Sequence, residues 1–318
     1  MRSRQLCATA FCAFAVPAVV LLPRAGWLWT AVACLAVAAL VLVLRALRGE
    51  KSLAEAAAAA TGGKAALWAL WAWNLLLLGA ASRLLCGLYP GGGPIIGLLL
   101  LLLAVYAAGK GAQTVLRVSA VSFFFLIGLF ALLDAFALPQ LHTAWLAPVT
   151  QADGTLLPWA LVPLTGVWLA REKTKPLGWC LGGGALAVFA ALITAGSLSP
   201  CVAAGLDFPF YDAAKSVSVL GAMERLEPLV SAALTAGGFS LLGLLCAVNL
   251  ELWRVLVPGE RRWGTPLNFL AGGTGLWCSG LIPAAILAVG NTIFWGFLPF
   301  LPLLIENQKN LRKNQKKC

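Results

Sequence analysis

Ten apolar runs, near residues 5–22, 27–44, 65–88, 94–109, 118–138, 155–170, 177–196, 229–250, 267–288 and 291–305, alternate with short polar breaks along the chain. A helix rises 1.5 Å per residue, so most of these runs match the roughly 30 Å hydrocarbon layer of a bilayer. In hydrocarbon a segment has to satisfy its own backbone hydrogen bonds, and continuous apolar runs therefore predict membrane-spanning helices. The breaks carry signals of their own. Residues 89–94 read YPGGGP, a tight turn between the third and fourth spans. Residues 50–64 (EKSLAEAAAAATGGK) read as an amphipathic connector whose helix ends at Gly62 and Gly63. The longest break, residues 197–228, carries Asp207, Asp212, Glu224 and Glu227, with a short helix expected around residues 213–220. A break of this length serves either as a functional or partner surface or as a passive lid. No linker or change of composition divides the chain, so residues 1–318 read as one integral membrane domain.

Charge then orients the spans. If the runs alternate in direction, only Arg24, Arg83, Lys215 and Arg225 of the 23 Lys and Arg residues fall on the side away from the N-terminus. Lys and Arg resist translocation, which places both termini and the basic tail 306–318 in the cytoplasm. A chain 61% hydrophobic and 11% charged is not a soluble domain. Its net charge of +11 would point to nucleic acid in a soluble protein, but topology already accounts for it. The N-terminal run has the form of a signal peptide, yet removing it would put the basic loops on mixed sides, so the first span is expected to stay.

Candidate chemistry is sparse. The nine cysteines include no C-x-x-C pair, and His142 is the one histidine, so no metal site is expected. Cys86 and Cys201 both approach the outer face. Trp68, Trp71 and Trp73 crowd one helix and read as interface anchors. No Ser-x-x-Lys pattern or paired Asp lies at membrane depth, and the enzyme class is set aside.

Ten spans divide into five and five. An odd number per half inverts the second half, the requirement for an inverted-topology repeat, here 5–138 and 155–305. In such folds the first helix of each half is broken near the midplane and offers free backbone groups to a ligand. Val16-Pro17-Ala18 in span one and Val162-Pro163-Leu164-Thr165-Gly166 in span six fall in corresponding places. Membrane helices also carry Pro and Gly without unwinding.

Several stretches resemble one family. Lys215-Ser-Val-Ser-Val-Leu220, continuing through Met223-Glu224-Arg225-Leu226-Glu227 into a span with Gly237-Gly238-Phe239, is similar to the segment before and through that family's eighth span. Gly111-Ala-Gln-Thr-Val-Leu-Arg117 entering span five and Trp145-Leu-Ala-Pro148 after it form a second match, and Ser3-Arg4-Gln5-Leu6 with Gly26-Trp27-Leu28 a third. Together they resemble the B subunit of spore germinant receptors, the GerAB-type endospore germination permeases of the amino acid–polyamine–organocation transporter superfamily. The chain departs from the family where many members have Gly-x-Glu in span six, because here it reads Gly166-Val167-Trp168.

The resemblance implies an all-α, LeuT-like 5+5 inverted repeat with broken helices 1 and 6, in the spore inner membrane. It implies a small nutrient ligand, such as an amino acid, held by Val16, Pro17, Ala18, Pro163, Thr165 and Gly166, with no cofactor. Its partners would be A-type and C-type receptor subunits, not nucleic acid. The alternative in another class is a secondary amino-acid transporter of the same superfamily. Coupled transporters tend to keep an ionisable group at the coupling site, and no acid lies mid-membrane here, although neutral oxygens can hold sodium. Glu224, Arg225 and Glu227 are expected to act in gating or partner contact. The simpler reading is that the acids stabilise the helix start at Pro228 through its dipole. Asp134 is either a snorkelling cap or a pocket wall.

Overall fold

The computed structural model describes residues 3–48, 52–60, 62–89, 93–146, 154–170, 177–216, 227–259, 261–278, 282–305 and 308. Every regular element among them is helical. The first half contains α1 (Ser3–Val20), α2 (Trp27–Arg48), α3 (Leu53–Ala59), α4 (Gly63–Gly87), α5 (Gly93–Gly109) and α6 (Ala112–Ala137). The second contains α7 (Val162–Leu169), α8 (Leu177–Leu198), α9 (Pro200–Gly205), α10 (Pro209–Ser216), α11 (Glu227–Leu256), α12 (Gly264–Cys278) and α13 (Ala284–Asn291). Among the described residues six helices are long and apolar enough to cross a membrane: Trp27–Leu47, Gly63–Gly87, Ala112–Gln140, Cys180–Leu198, Pro228–Leu256 and Ala284–Ile305. Arg4–Val20, Gly93–Gly109 and Leu157–Leu169 are shorter apolar helices. The chain is an all-α, multi-pass membrane protein.

Three expected boundaries move. The ninth and tenth runs, read as 267–288 and 291–305, are instead α12 and a helix from Ala284 to Ile305. Pro283, extended at φ −57° and ψ 141°, starts that helix, and Gly290 and Asn291 lie buried inside it. The run is apolar on both sides of Pro283, so hydropathy alone could not place the turn. Span one is not broken. Its helix runs through Pro17 to Val20, and the Leu21 N–H still bonds the Pro17 carbonyl at 3.1 Å. Pro17 lies in the last turn, where its missing N–H costs one bond rather than the helix. The long break carries two short helices among the described residues, α9 and α10; α10 begins at Pro209, ahead of the expected 213, and residues 217–220 of the expected helix lie outside the described residues.

The connector forms a helix as read, but α3 ends at Ala59, and Gly62 and Gly63 start α4 instead of ending α3. Ser52 and Glu55 form a capping box, each side chain taking the other's backbone N–H at 3.3 Å. α3 buries Leu53, Ala54 and Ala57 against α4 and α11, and Gly62 turns the chain at φ 73°. Among the cysteines, Cys86 is buried, Cys201 is exposed, and both are free.

α11 is the axis of the molecule, packing on α1, α4, α5, α6, α7 and α12. Without a hydrophobic drive between helices in lipid, close backbone approach supplies the packing, and glycines make it possible. At Gly237, an added Cβ would lie 3.1 Å from Val16 Cγ2 and 3.2 Å from the Cys12 carbonyl. α4, α5, α11 and α12 pack on one another as one group. α1 packs on α7 and α8, and α2 packs on α8 and on the 3-10 turn before α7. α6 bridges the two groups through α1 and α11.

Candidate functional site

The centre of the molecule is the seam where α1, α7 and α11 meet. Span six enters it in two forms. Leu157–Leu161 is a 3-10 helix, and α7 follows from Val162. Pro163 has no N–H to give the Trp159 carbonyl four residues back. The Val162 N–H takes that carbonyl instead, in the shorter 3-10 spacing. Five 3-10 and eight α-helical residues reach only about 22 Å, less than the hydrocarbon layer. The helix changes form at Val162, next to the expected Pro163, but it does not unwind there. Thr165 Oγ1 donates back to the Val162 carbonyl at 2.6 Å.

All six expected pocket residues, Val16, Pro17, Ala18, Pro163, Thr165 and Gly166, are buried, on two helices that touch each other. Thr165 spends its hydroxyl proton within its own helix, which leaves its lone pairs as acceptors. The Cys12 thiol donates to the Ser119 carbonyl of α6 at 3.4 Å, tying the seam to that helix. The Ser119 hydroxyl is buried without a partner among the described residues.

Trp168 stands where the resemblance predicts an acid. It is 2% exposed, and its indole packs edge-on against Trp295, 1% exposed, with ring centres 6.2 Å apart. Neither indole N–H has a partner among the described residues. A buried N–H left unmade costs about 1–3 kcal/mol, so this pair is a source of two hydrogen-bond donors at the base of span six. Two neutral donors suit a carboxylate or carbonyl oxygen, whereas an acid would repel one.

Sequence reasoning missed the main polar feature. Asn74 Nδ2 donates to Asn249 Oδ1 at 2.6 Å and to the Leu245 carbonyl at 3.2 Å. Asn249 Nδ2 donates to Asn268 Oδ1 at 2.7 Å, and Asn268 Nδ2 to the Cys246 carbonyl at 3.4 Å. This amide chain binds α4, α11 and α12 together, and it ends on Asn74 Oδ1, buried without a partner among the described residues. Trp73 Nε1 donates to Asn291 Oδ1 at 3.0 Å, which adds α13. A signal existed, since these four are the only asparagines before the C-terminal tail, each alone in an apolar run. Every fully buried polar side chain among the described residues is neutral.

Of the other expected residues, Glu224 and Arg225 lie outside the described residues, and Glu227 begins α11. Asp134 is half-buried near the end of α6, and His142 is exposed, its ring 4.3 Å from that of Trp145. No family model matches the chain, and no curated protein matches it.

Proposed function

We propose that this chain is the membrane subunit of a spore germinant receptor, which binds a small nutrient such as an amino acid and triggers germination with A-type and C-type subunits. The observation that carries the reading is the pattern of helix packing. Number the spans in order and exchange each with the one five later, and many of the packing pairs map onto pairs that also pack. α4 against α12 becomes α11 against α5, and α1 against α8 becomes span six against α2. α1 against α7 and α4 against α11 map onto themselves. Such a pattern supports a LeuT-like 5+5 repeat. The charge pattern puts the termini in the cytoplasm, and the resemblance puts the bundle in the spore inner membrane. Within it the ligand sits beside α7, its carboxylate near the indoles of Trp168 and Trp295, with Thr165 and Gly166 lining the approach. Neutral surroundings suit a sensor that binds and releases an amino acid without moving a proton. The test is Gly166→Leu, which fills the seam. It abolishes the germination response while the subunit accumulates in the spore membrane at normal abundance. A normal response in a well-accumulated Gly166→Leu strain overturns the site.

The second reading, a secondary amino-acid transporter, rests on Asn74 Oδ1, a buried neutral oxygen of the kind that coordinates sodium. It expects sodium-driven amino-acid uptake by the purified chain in liposomes, lost in Asn74→Leu. Uptake unchanged by sodium removes it.

A further inference from the structure

α4 and α12 touch backbone to backbone at Gly79 and Gly275, where a Cβ added to Gly275 would fall 2.0 Å from Gly79 Cα. Beyond that crossing a groove of about 600 Å³ opens between α4, α5 and α12. Its walls are apolar, among them Ile95, Leu98, Phe269 and Trp277, and a Cβ added to Gly273 on its floor meets nothing within 4 Å. Arg83 lines the same groove, one turn inside the end of α4. Its side chain is exposed and forms no ion pair among the described residues. Among the described residues its one hydrogen bond runs from Nη1 to the Leu276 carbonyl, long at 3.5 Å, so most of the guanidinium's five donors have no partner there.

A charge inside a spanning helix is costly unless something compensates it, and an unpaired one marks a binding function. Arg83 near a helix end reaches the depth of the headgroups, where the abundant anion is a phosphodiester that matches its planar donors. The aliphatic walls below it match an acyl chain. Trp277, 81% exposed at the mouth, is the residue type that settles at that interface. We propose that this groove is a phospholipid site: Arg83 holds the lipid phosphate, and the α4–α5–α12 walls hold one acyl chain. Cation and groove together select a lipid over a free anion, which has no use for the walls. The site is independent of the central seam and of the nutrient reading.

Native mass spectrometry of the detergent-purified chain, titrated with phosphatidylglycerol, tests it. The wild type takes up one lipid saturably. Arg83→Gln weakens that uptake about tenfold, the loss of a charged hydrogen bond. Gly273→Leu, projecting into open space, fills the groove and weakens it comparably with Arg83 intact. Excess inorganic phosphate does not displace the lipid. Equal uptake by all three proteins overturns the site. So does loss with Arg83→Gln alone, because the phosphate contact would then be unconnected to the groove. Displacement by inorganic phosphate makes it a soluble-anion site, and a dimer in place of a lipid adduct makes it a self-association face. Thermal melting of both variants within a few degrees of the wild type keeps misfolding from producing the loss.

Discussion

Asn74 donates to Asn249 across the α4–α11 interface at 2.6 Å, and that bond has only one possible direction. Backbone carbonyls can only accept, and the carboxamide N–H groups at both ends of the chain point at them, Asn74 to Leu245 and Asn268 to Cys246. Flipping any one amide would set oxygen against oxygen. Asn249→Leu therefore strands the Asn74 donor and the Asn268 acceptor together, at a cost of about 1–3 kcal/mol. Replacing Asn74, Asn249 and Asn268 all by leucine removes both the groups and their demands. The triple variant is expected to lose less stability than the sum of the three single ones, read as reversible unfolding in detergent. Simple additivity would show that the three amides act separately.

Two glycines on α12, two residues apart, make a paired test of packing. Gly275 meets the α4 backbone at Gly79, while Gly273 faces open groove. Gly275→Ala forces the helices apart and is expected to cost about 1–3 kcal/mol, the usual range for overpacking. Gly273→Ala should stay within about 0.5 kcal/mol of the wild type. Thermal melts of the two proteins decide it, and equal melting temperatures would mean that α4 and α12 do not cross at Gly79.

The α4–α13 junction adds a third. Trp73 stacks on Phe294 with ring centres 5.0 Å apart, donates to Asn291, and lies over Gly290, where a Cβ would fall 2.0 Å from its ring. Asn291→Ala strands the indole N–H in a buried site and is expected to cost about 1–3 kcal/mol. In a Trp73→Phe background the same change has no donor to strand, so it should cost less. A double-mutant cycle by thermal unfolding measures that coupling.

The six long apolar helices were legible because a bilayer demands length and apolarity, and both are written in order along the chain. The long break was legible for the same reason, though its two short helices begin at Pro200 and Pro209, which punctuate more sharply than the hydropathy does. What failed were statements about single prolines. Pro17 and Pro163 look alike in sequence, but one lies in the last turn of α1 and the other at the second position of α7. That difference in place decides whether a helix continues or changes form. Pro283 starts a new helix inside an apolar run that hydropathy had joined, since proline punctuates the backbone without changing polarity. Of the site, the burial of Val16 and Thr165 followed from span positions. The pairing of Asn74 with Asn249 did not, because their residues are brought together only when α4 meets α11.

Orientation is the last prediction, and it rests on the charge pattern alone. If Lys and Arg stay on the side they cannot leave, the α5–α6 turn at Lys110 and the start of α12 near Arg262 share the cytoplasm with both termini. The segment after α6 at His142 and the α9–α10 stretch at Asp207 lie opposite. Lys110, Arg262, His142 and Asp207 are all exposed, so a cysteine at any of them is open to a reagent on its own side. In a background lacking Cys201, Cys278 and Cys318, His142→Cys and Asp207→Cys should react with an impermeant maleimide added to intact cells. Lys110→Cys and Arg262→Cys should react only after the membrane is opened. With the half-buried Cys7 and Cys34 also replaced, the remaining cysteines, Cys12, Cys86, Cys180 and Cys246, are shielded by packing in every variant and set the blank. Labelling of Lys110→Cys and His142→Cys from the same side would mean that α6 does not cross, and the ten-span order would fall with it.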